Sequence, residues 1–483
     1  MFVFILSNAG HPLWFPGDAP QKRASGQLTG LQNLAILVKN TERVYCRSGP
    51  GGSTKLIQSL ERCKRSNFLT CHAQALEGGS FFIKIRREVM YLLVCNVGST
   101  SLKFKLYNMP HAAPLAEGKI ERVGSLTDAI YHYRNPTNDW SIKLEGQSIP
   151  SYTEGIQKYL ADLTHPEHGA LDKLEKLERV GFKTVLAKDF YGVHQLTPEV
   201  LKGMEEYLPI APVHNSCYLE AIRRFQEILP TTPLIGVFET AFHTTIPMHR
   251  RLFALPYEWY ETYGLQRFGY HGASHGYVAQ AVMAESPVNK TVSCHLGGSC
   301  SLCAIKDGVS QDNSFGFSLQ TGILHANRTG DMDAYIIPFL LGRGMPLEEI
   351  MAGLEKTGGL LGVSGVDNDL RQVEEAAEKG NARAQLAIDM FVDQIVRYIG
   401  SYQAFLGGLD HLVFTGGIGE NGVNIRRMVC DRLAHLGVIV DEAANGSGEP
   451  RRRISKADSP VKVDIIPADE EQVVARKTYD YAL

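Results

Sequence analysis

The sequence predicts an α/β protein made of two related halves around a cleft. Runs rich in β-branched and aromatic residues alternate with helical stretches, which is the pattern of α/β folds. Turns rich in Gly, Ser and Thr recur after such runs, and this recurrence indicates that the two halves are built alike. The runs span 233–238, 291–295 and 411–414, the longest helical stretch spans 382–405, and the turns span 96–101, 297–301 and 416–419.

Size and composition restrict the class of protein. A chain of 483 residues, 44% of them hydrophobic, is long enough for at least two domains. It has no run of about 20 apolar residues, so we expect no membrane span and no membrane partner. The net charge of −3 argues against a general nucleic-acid binder. Nine scattered cysteines fit reduced thiols in a cytoplasmic protein.

The first 89 residues differ in charge from the rest of the chain. They hold 12 Lys and Arg against 5 Asp and Glu, which leaves 37 basic and 47 acidic residues in 90–483. They show no sustained helical or strand periodicity, so we expect a poorly structured extension. A basic, acid-poor segment of this kind also fits an organellar transit segment. We favour a native start at Met90, which would leave residues 1–89 outside the native protein.

The first glycine-rich turn lies inside a predicted hairpin that spans 91–107. Apolar residues alternate with lysines over 102–106, as in a half-buried strand. Hydroxyls in the turn at 96–101 can donate to phosphate, Asn96 offers an oxygen to Mg²⁺, and Lys103 adds a positive charge. An ordinary hairpin turn is the alternative.

The third glycine-rich turn runs from Phe414 to Asn421 and leads into an amphipathic helix that Gly437 ends. Small residues let backbone N–H groups approach phosphate oxygens, and the start of a helix attracts anions. Close packing of a strand against a helix would also require glycine. The turn alone therefore leaves both interpretations open.

Eight short motifs follow one another between residues 90 and 483. They are Asn96-Val-Gly-Ser-Thr-Ser-Leu-Lys103, Ala211-Pro-Val-His-Asn215, Val237-Phe-Glu-Thr-Ala-Phe-His243, His271-Gly-Ala-Ser-His275, Cys294-His-Leu-Gly297, Asn327-Arg-Thr-Gly-Asp331, Phe414 to Asn421 and Pro467-Ala-Asp-Glu-Glu471. In order and spacing this set closely resembles the acetate kinase family.

The resemblance implies both a fold and a reaction. The family belongs to the actin, sugar kinase and Hsp70 superfamily, which implies two duplicated ribonuclease H-like domains closing on a nucleotide, usually in a homodimer. We expect domain I over 90–240, completed by 470–483, and domain II over 241–469. The implied reaction is a reversible, in-line transfer of phosphate from ATP to acetate or another short carboxylate, which leaves ADP. The implied cofactor is Mg²⁺, with Mn²⁺ as an alternative.

The resemblance also assigns four groups of site residues. The catalytic positions are Glu239, His271 and Arg328; the substrate positions are Lys183, Val185 and Tyr270; the metal positions are Asn96 and Glu470; and the nucleotide positions are Lys103, His295, Leu296, Gly297, Gly298, Ser299, Asp369, Leu370, Arg371, Gly417, Ile418, Gly419, Glu420 and Asn421.

These residue types suit phosphoryl transfer, which needs alignment, positive charge and hydrogen-bond donors rather than covalent chemistry. An acyl carboxylate is already ionised near neutral pH, so it needs no strong base to become a nucleophile. Several of the residues also have plainer interpretations. These are a surface pair of Arg328 with Asp331 or Asp333, a solvated pair of Asp369 and Arg371, a structural or zinc-binding pair of His271 and His275, and Glu471 instead of Glu470 as the metal ligand.

Three positions depart from the family pattern. Lys183 stands where the family has arginine, and lysine lacks the planar fork that binds a carboxylate through two hydrogen bonds. Glu239 replaces an aspartate and is one methylene longer. Gly298 replaces an asparagine that would face the nucleotide. The first two positions keep the sign of their charge, so we expect retained phosphotransfer with an altered acyl pocket.

Two other functions are alternatives. A nucleotide-binding regulatory relative without turnover would account for the three departures. A sugar kinase would share the superfamily but would need a base to activate a hydroxyl. Formation of an acyl phosphate from short acids separates these hypotheses.

Overall fold

The computed structural model describes residues 89–98 and 100–482 and, among the first 88 residues, the backbone of six strands. The chain forms two compact units. The first comprises 1–90, 108–113 and 482–483, and the second comprises 91–107 and 114–481.

The N-terminal strands are β1 (Val3–Leu6), β2 (Pro12–Phe15), β3 (Ile36–Val38), β4 (Arg43–Arg47), β5 (Leu69–Leu76) and β6 (Ser80–Arg87). They form two antiparallel sheets, in the orders β2-β1-β3 and β4-β6-β5. The expectation of a poorly structured extension over 1–89 stays a prediction. Gly78 and Gly79 stand between β5 and β6, and two glycines between strand-like runs are a hairpin signal. The rest of 1–88 lies outside the described residues.

The first large sheet contains eight strands, β7 (Met90–Gly98), β8 (Ser101–Met109), β9 (Ala113–Glu121), β10 (Ser125–Asn135), β11 (Trp140–Ile149), β12 (Leu177–Thr184), β13 (Val193–Gln195) and β14 (Leu234–Phe238). Their order is β11-β10-β9-β8-β7-β12-β14-β13. Strand β12 runs parallel to both β7 and β14. Strands β7 and β8 are neighbours, which confirms the two strands predicted over 91–107.

The second large sheet contains six strands, β15 (Lys290–His295), β16 (Ser301–Lys306), β17 (Val309–Asn313), β18 (His411–Thr415), β19 (Arg452–Arg453) and β20 (Lys462–Ile465). Their order is β17-β16-β15-β18-β20-β19, with β18 parallel to both β15 and β20. The series β9-β8-β7-β12-β14 in the first sheet and β17-β16-β15-β18-β20 in the second have the same order along the chain. This repeated topology confirms the predicted α/β class with two related halves.

Fifteen helices are assigned in the described part of the chain. They are α1 (Tyr152–Leu163), α2 (Pro198–Glu206), α3 (Pro212–Ile228), α4 (Met248–Arg251), α5 (Tyr257–Tyr263), α6 (Gly272–Glu285), α7 (Ile336–Gly342), α8 (Leu347–Glu355), α9 (Gly359–Ser364), α10 (Leu370–Glu378), α11 (Ala382–Leu406), α12 (Gly416–Asn421), α13 (Val423–Arg432), α14 (Glu442–Gly446) and α15 (Glu470–Asp480), with 3₁₀ turns at Leu174–Lys176, Glu239–His243 and Ala434–Leu436.

The predicted long helix over 382–405 is confirmed as α11. Asn381 caps its start by accepting hydrogen bonds from the N–H groups of Arg383 and Ala384. Gly407 ends it in the left-handed conformation, at φ 72°. Its buried face packs in the core of the second sheet. Within the described residues, no helix combines the length and the apolar character needed to cross a membrane.

The C-terminal helix α15 packs on the first sheet. A Cβ at Gly181 would lie 2.3 Å from Thr478 Oγ1, so only glycine lets the helix approach β12 this closely. Arg179, also on β12, is buried and donates hydrogen bonds to the carbonyls of Thr478 (2.6 Å) and Tyr481 (2.7 Å). This packing agrees with the proposed completion of domain I by 470–483, whose boundaries stay a prediction.

Replacement of Gly416 should destabilise the second sheet. Gly416 has φ +78°, and a Cβ there would lie 2.7 Å from the carbonyl oxygen of Leu296. We expect Gly416→Ala to lower the free energy of unfolding by about 1–3 kcal/mol in urea titrations. A Cβ at Gly400 in α11 would meet open space, so Gly400→Ala should raise stability by about 0.5–1 kcal/mol. Equal effects of the two changes would contradict the argument.

Candidate active site

Strand pairing brings two of the predicted nucleotide turns together. Parallel β15 and β18 place His295 opposite Thr415, so the turns that follow these strands start side by side. The N–H groups of Ile418 and Gly419 both donate to the carbonyl of Leu296, at 2.9 and 3.1 Å. The predicted residues 295–299 and 417–421 therefore form one continuous surface.

Two glycines on this surface border open space. A Cβ at Gly298 or Gly417 would meet no atom of the protein within 4 Å. The backbone at both positions is therefore accessible to a ligand such as phosphate. The turn at 416–421 is itself the short helix α12, and Gly422 separates it from α13, whereas the sequence indicated a turn leading directly into one helix. Glu420 and Asn421 bond back to this helix, to the N–H of Gly416 and the carbonyl of Gly417.

The third predicted nucleotide segment begins helix α10. Asp369 accepts a hydrogen bond from the N–H of Arg371 (3.0 Å) and forms an ion pair with its guanidinium. The Arg371 side chain is 85% exposed, and Leu370 is buried in the core. The Glu374 side chain bonds Asn424 of α13, so α10 lies beside the helix that follows the third turn. Asp369 and Arg371 thus form the solvent-exposed ion pair that the sequence offered as an alternative to nucleotide binding.

The ammonium of Lys183 lies between two carboxylates, close to where β12 and β14 end. Lys183 Nζ lies 2.8 Å from Glu239 Oε1 and 2.6 Å from Glu470 Oε2. Burial disfavours the charge on Lys183, but the two carboxylates outweigh that effect and raise its pKa well above the ordinary value. Burial also raises the pKa of Glu239. Burial by itself would raise the pKa of Glu470. The charges of Lys183 and His295 outweigh burial, so the pKa of Glu470 is lowered.

The two neighbouring glutamates at the start of α15 have different partners. Glu470 faces Lys183, whereas Glu471 Oε1 accepts a hydrogen bond from Asn96 Nδ2 at 3.3 Å. Asn96 Oδ1 accepts one from the Tyr218 hydroxyl at 3.2 Å. Lys103 is exposed, and its charge contributes to the lowered pKa of Glu470. Ser99, which the sequence offered as a phosphate donor, lies outside the described residues.

Glu470 has one carboxylate oxygen that is available to a cation. Glu470 Oε1 is buried and accepts no hydrogen bond from any residue that the structure describes. Asn96 offers an amide oxygen, which accepts from the Tyr218 hydroxyl, while its amide nitrogen contacts Glu471 rather than Glu470. Across 89–98 and 100–482, no group of three or more His, Cys, Asp or Glu could hold a metal ion. One carboxylate with one amide suits Mg²⁺, which typically takes its remaining ligands from water and substrate phosphates.

His271 occupies a constrained position between the two sheets. It caps the start of α6 with a left-handed backbone (φ 56°), and its N–H donates to Glu239 Oε2 at 3.3 Å. Its ring stacks on that of His295, with centroids 4.1 Å apart. Burial, assisted by the neighbouring histidines and cations, lowers its pKa well below the ordinary value. The imidazole of His271 is therefore neutral at pH 7.

A chain of serines and histidines supports the His271 ring. Ser301 Oγ lies 2.9 Å from His271 Nδ1 and 2.8 Å from His275 Nε2, and His275 Nδ1 lies 2.9 Å from Ser293 Oγ. A serine hydroxyl has one proton, so Ser301 donates to one imidazole and accepts from the other. The direction of this chain determines which nitrogen of His271 carries the proton. Sequence reasoning missed Ser301 because its partners are 26 and 30 residues away.

Arg328 lies in a loop that contacts the glycine-rich turn at 297–301. The N–H of Ala326 donates to the carbonyl of Gly298 at 3.1 Å, which holds this loop against the turn. The Arg328 charge helps to lower the pKa of His271 and of His325, so the guanidinium lies near both rings. It makes no ion pair with any described residue; Asp331 instead accepts hydrogen bonds from the Tyr398 hydroxyl and the Gly322 N–H. The ion pair of Arg328 with Asp331, which the sequence left open as an alternative, is thus absent from the described residues.

The two predicted acyl-pocket residues are tightly packed. Val185 and Tyr270 both belong to the core beside the first sheet. The Tyr270 hydroxyl donates to the carbonyl of Phe317 at 2.8 Å, and burial raises its pKa. Their role toward a substrate stays a prediction.

Three comparisons with known proteins agree. The sequence pattern that defines the Acetokinase family matches residues 91–476. An acetate kinase of Shouchella clausii is 40% identical over 399 residues, which cover 80% of this chain and 98% of that protein. Crystal structures of a Porphyromonas gingivalis acetate kinase (TM-score 0.72, 36% identity) and a Francisella tularensis propionate kinase (TM-score 0.73, 32% identity) each cover 80% of this chain, and 98% and 99% of those chains.

Removal of the Lys183 charge should strongly destabilise the fold. Lys183→Met leaves Glu239 and Glu470 buried without a counter-ion, and we expect a loss of about 3–5 kcal/mol in the free energy of unfolding. Lys188 provides a matched control, because it pairs with Glu206 at the same 2.8 Å but on the exposed surface. Lys188→Met should cost less than about 1 kcal/mol. Urea titrations giving similar losses for both variants would refute the role assigned to burial.

Stability should fall as the pH drops below about 6.5. Burial lowers the pKa of His243 to about 4 and of His325 to about 3, and also lowers those of His271, His275 and His295. The unfolded chain protonates these groups near pH 6.5 whereas the folded chain does not, so unfolding takes up protons between about pH 6.5 and 4. Each group then contributes about 1.4 kcal/mol of lost stability per pH unit.

Urea midpoints at pH 7.5 and 5.0 measure this loss. His325→Gln removes one of the titrating groups and should make the decline less steep. A midpoint that stays constant from pH 7.5 to 5.0 would show that the histidines are not held neutral by the fold.

Proposed function

The chain belongs to the acetokinase family, and from this premise we propose that it is an acetate kinase-type phosphotransferase. It would transfer the terminal phosphate of ATP to acetate or another short carboxylate, reversibly and by direct in-line displacement. The observation that carries the proposal is the match over residues 91–476, with relatives at about 40% identity covered almost end to end. A regulatory relative without turnover has no support in these comparisons.

The two glycine-rich turns would hold the nucleotide. Gly298 and Gly417 offer backbone beside open space, which suits the close approach of phosphate oxygens. The exposed ammonium of Lys103 and the segment Asp369–Arg371 would complete the nucleotide site. The loss of the family's asparagine at Gly298 widens this surface without removing a charge.

His271 and Arg328 would stabilise the migrating phosphoryl group. Arg328 has a guanidinium free of ion pairs with described residues, and the His271 imidazole is neutral, so one supplies charge and the other a hydrogen bond. A neutral imidazole can donate from Nε2 only if Nδ1 accepts. We therefore propose that Ser301 donates to His271 Nδ1 and accepts from His275 Nε2, which makes Ser301 a positioning residue.

Lys183 and Glu239 would act at the substrate end. Lys183 offers a cation for the incoming carboxylate, while Glu239 orients Lys183 and the backbone of His271. Asn96 and Glu470 would hold Mg²⁺, or Mn²⁺, which when bound neutralises charge on the phosphates. Because Glu470 Oε1 is unpaired among the described residues, it is the oxygen available to the ion.

The exposed apolar side chains of two neighbouring helices support a homodimer. Contiguous exposed apolar surface typically marks a protein interface. Tyr335 is 82% exposed and Phe339 61% exposed, at and within α7. Further exposed apolar residues of α7 and of the neighbouring helix α8 are Ile336, Leu341, Leu347 and Met351. The six described cysteines are all free thiols, which supports a reducing, cytoplasmic location.

Purified protein with ATP, Mg²⁺ and a panel of short acids should form acyl phosphate, which hydroxylamine traps as a hydroxamate. His271→Ala and Arg328→Ala should each lower kcat by about 10²–10³-fold. Ser301→Ala should lower kcat by roughly tenfold with little change in KM, because it affects the His271 proton rather than binding. Arg223→Ala, in an exposed ion pair with Glu205, serves as the control and should be unaffected.

No hydroxamate with any acid of the panel would overturn the proposed reaction. Hydroxamate formation that survives His271→Ala unchanged would leave the reaction in place but would overturn the role of His271. Product formed from glycerol or glucose instead would favour the sugar kinase alternative.

Light scattering on a sizing column should give the mass of a dimer. Phe339→Glu places a charge in the apolar surface and should shift the protein to the mass of a monomer. Val288→Glu is the matched control, because Val288 is 85% exposed but lies outside these helices. A monomeric wild type, or two variants that behave alike, would contradict this interface.

A further inference from the structure

A partly enclosed cavity lies behind Glu239 and the start of α6. Its volume is ≈ 250 Å³, and its walls come from the 3₁₀ turn at Glu239–His243, α6, α15 and the turn at Asp307 and Gly308. Most of the lining is apolar, including Phe242, Ala279 and Met283. This volume is slightly below the range of about 300–1,000 Å³ for pockets that enclose drug-sized ligands. A smaller organic molecule would therefore fill it.

One lysine without a counter-ion lines the cavity. Lys477 of α15 lines the wall and makes no hydrogen bond or ion pair with any residue in the described part of the chain. Burial alone lowers its pKa. An ammonium that is partly removed from water gains from an anionic partner, and none of the surrounding side chains supplies one.

The two acidic residues of the lining are already engaged. Glu239 pairs with Lys183 and accepts from the His271 N–H. Asp307 is exposed at the rim and accepts a hydrogen bond from the N–H of Asn289 at 2.9 Å. The cavity thus presents one unpaired cation and an apolar interior.

We propose that this cavity is a second, non-catalytic carboxylate site, which binds an aliphatic carboxylate longer than the acyl substrate. The carboxylate pairs with Lys477, and the hydrocarbon tail packs against Phe242, Ala279 and Met283. Acetate lacks a tail that could fill this volume, so the site favours longer acids. Each additional buried CH₂ strengthens binding by about fourfold.

An occupant of the cavity touches the support of the proposed active site. A Cβ at Gly272 would lie 1.8 Å from the carbonyl oxygen of Glu239, so these two wall segments are in direct contact. The same segments carry the Glu239 carboxylate and the backbone of His271. Binding in the cavity is therefore adjacent to residues that the proposed active site uses.

Calorimetric titration of the full chain with hexanoate tests the proposal. The proposal rests on the proposed function only for the choice of acetate as the competing acid. The titration is made with ADP and acetate both saturating, so that the acyl site is occupied and no phosphate can be transferred. We expect one hexanoate per chain, with butyrate weaker by about 16-fold for two fewer CH₂ groups. Lys477→Met should weaken hexanoate binding at least tenfold, whereas Lys477→Arg should retain hexanoate binding. Ala279→Leu fills the cavity and should abolish binding while Lys477 remains.

Several results would overturn the proposal. These are hexanoate binding that acetate abolishes, hexanoate affinity that Lys477→Met leaves unchanged, and inorganic phosphate binding as tightly as hexanoate. Thermal unfolding of each variant checks that it folds, and Lys477→Met should keep the wild-type hydroxamate rate. Because the titration measures binding without turnover, its failure is distinguishable from a failure of the proposed reaction.

Discussion

The buried ammonium of Lys183 is the interaction on which the site depends. It joins Glu239, which follows β14, to Glu470, which begins the C-terminal helix 287 residues away from Lys183 in the chain. Three buried charges are tolerated only when each has a partner, so the three elements must adopt one arrangement. Glu239 extends this constraint to the second half of the molecule, because its other oxygen accepts the N–H of His271. The proposed substrate, metal and transition-state positions are thereby linked through two ion pairs and one hydrogen bond.

The departures from the family pattern are understandable within this arrangement. Lysine in place of arginine presents a single ammonium, and that ammonium lies between two carboxylates at 2.8 and 2.6 Å. The extra methylene of Glu239 lets one carboxylate contact both Lys183 and the His271 backbone. At Gly298 the missing side chain leaves open space beside accessible backbone. We therefore regard Lys183 and Glu239 as a matched pair within the proposed kinase.

Much of the fold followed from local pattern. The two strands over 91–107, the strands at 234–238, 290–295 and 411–415, and helix α11 all match stretches whose periodicity or composition predicted them. Residues 416–421 form a short helix, and the N–H groups of Ile418 and Gly419 bond to Leu296 on a neighbouring segment, which no local pattern reveals.

The sequence by itself determined the α/β class, the repeated glycine-rich turns and, through its motifs, the family. These depend on residues close together in the chain, where spacing and side-chain type carry the information. Only the tertiary structure decided that Glu470 rather than Glu471 faces Lys183, that Ser301 links two histidines, and that Lys477 lines a cavity without a counter-ion. Each of these depends on which distant segments meet and how deeply they are buried. Desolvation and partner choice arise only when the chain is folded, so they cannot be derived from the order of residues alone.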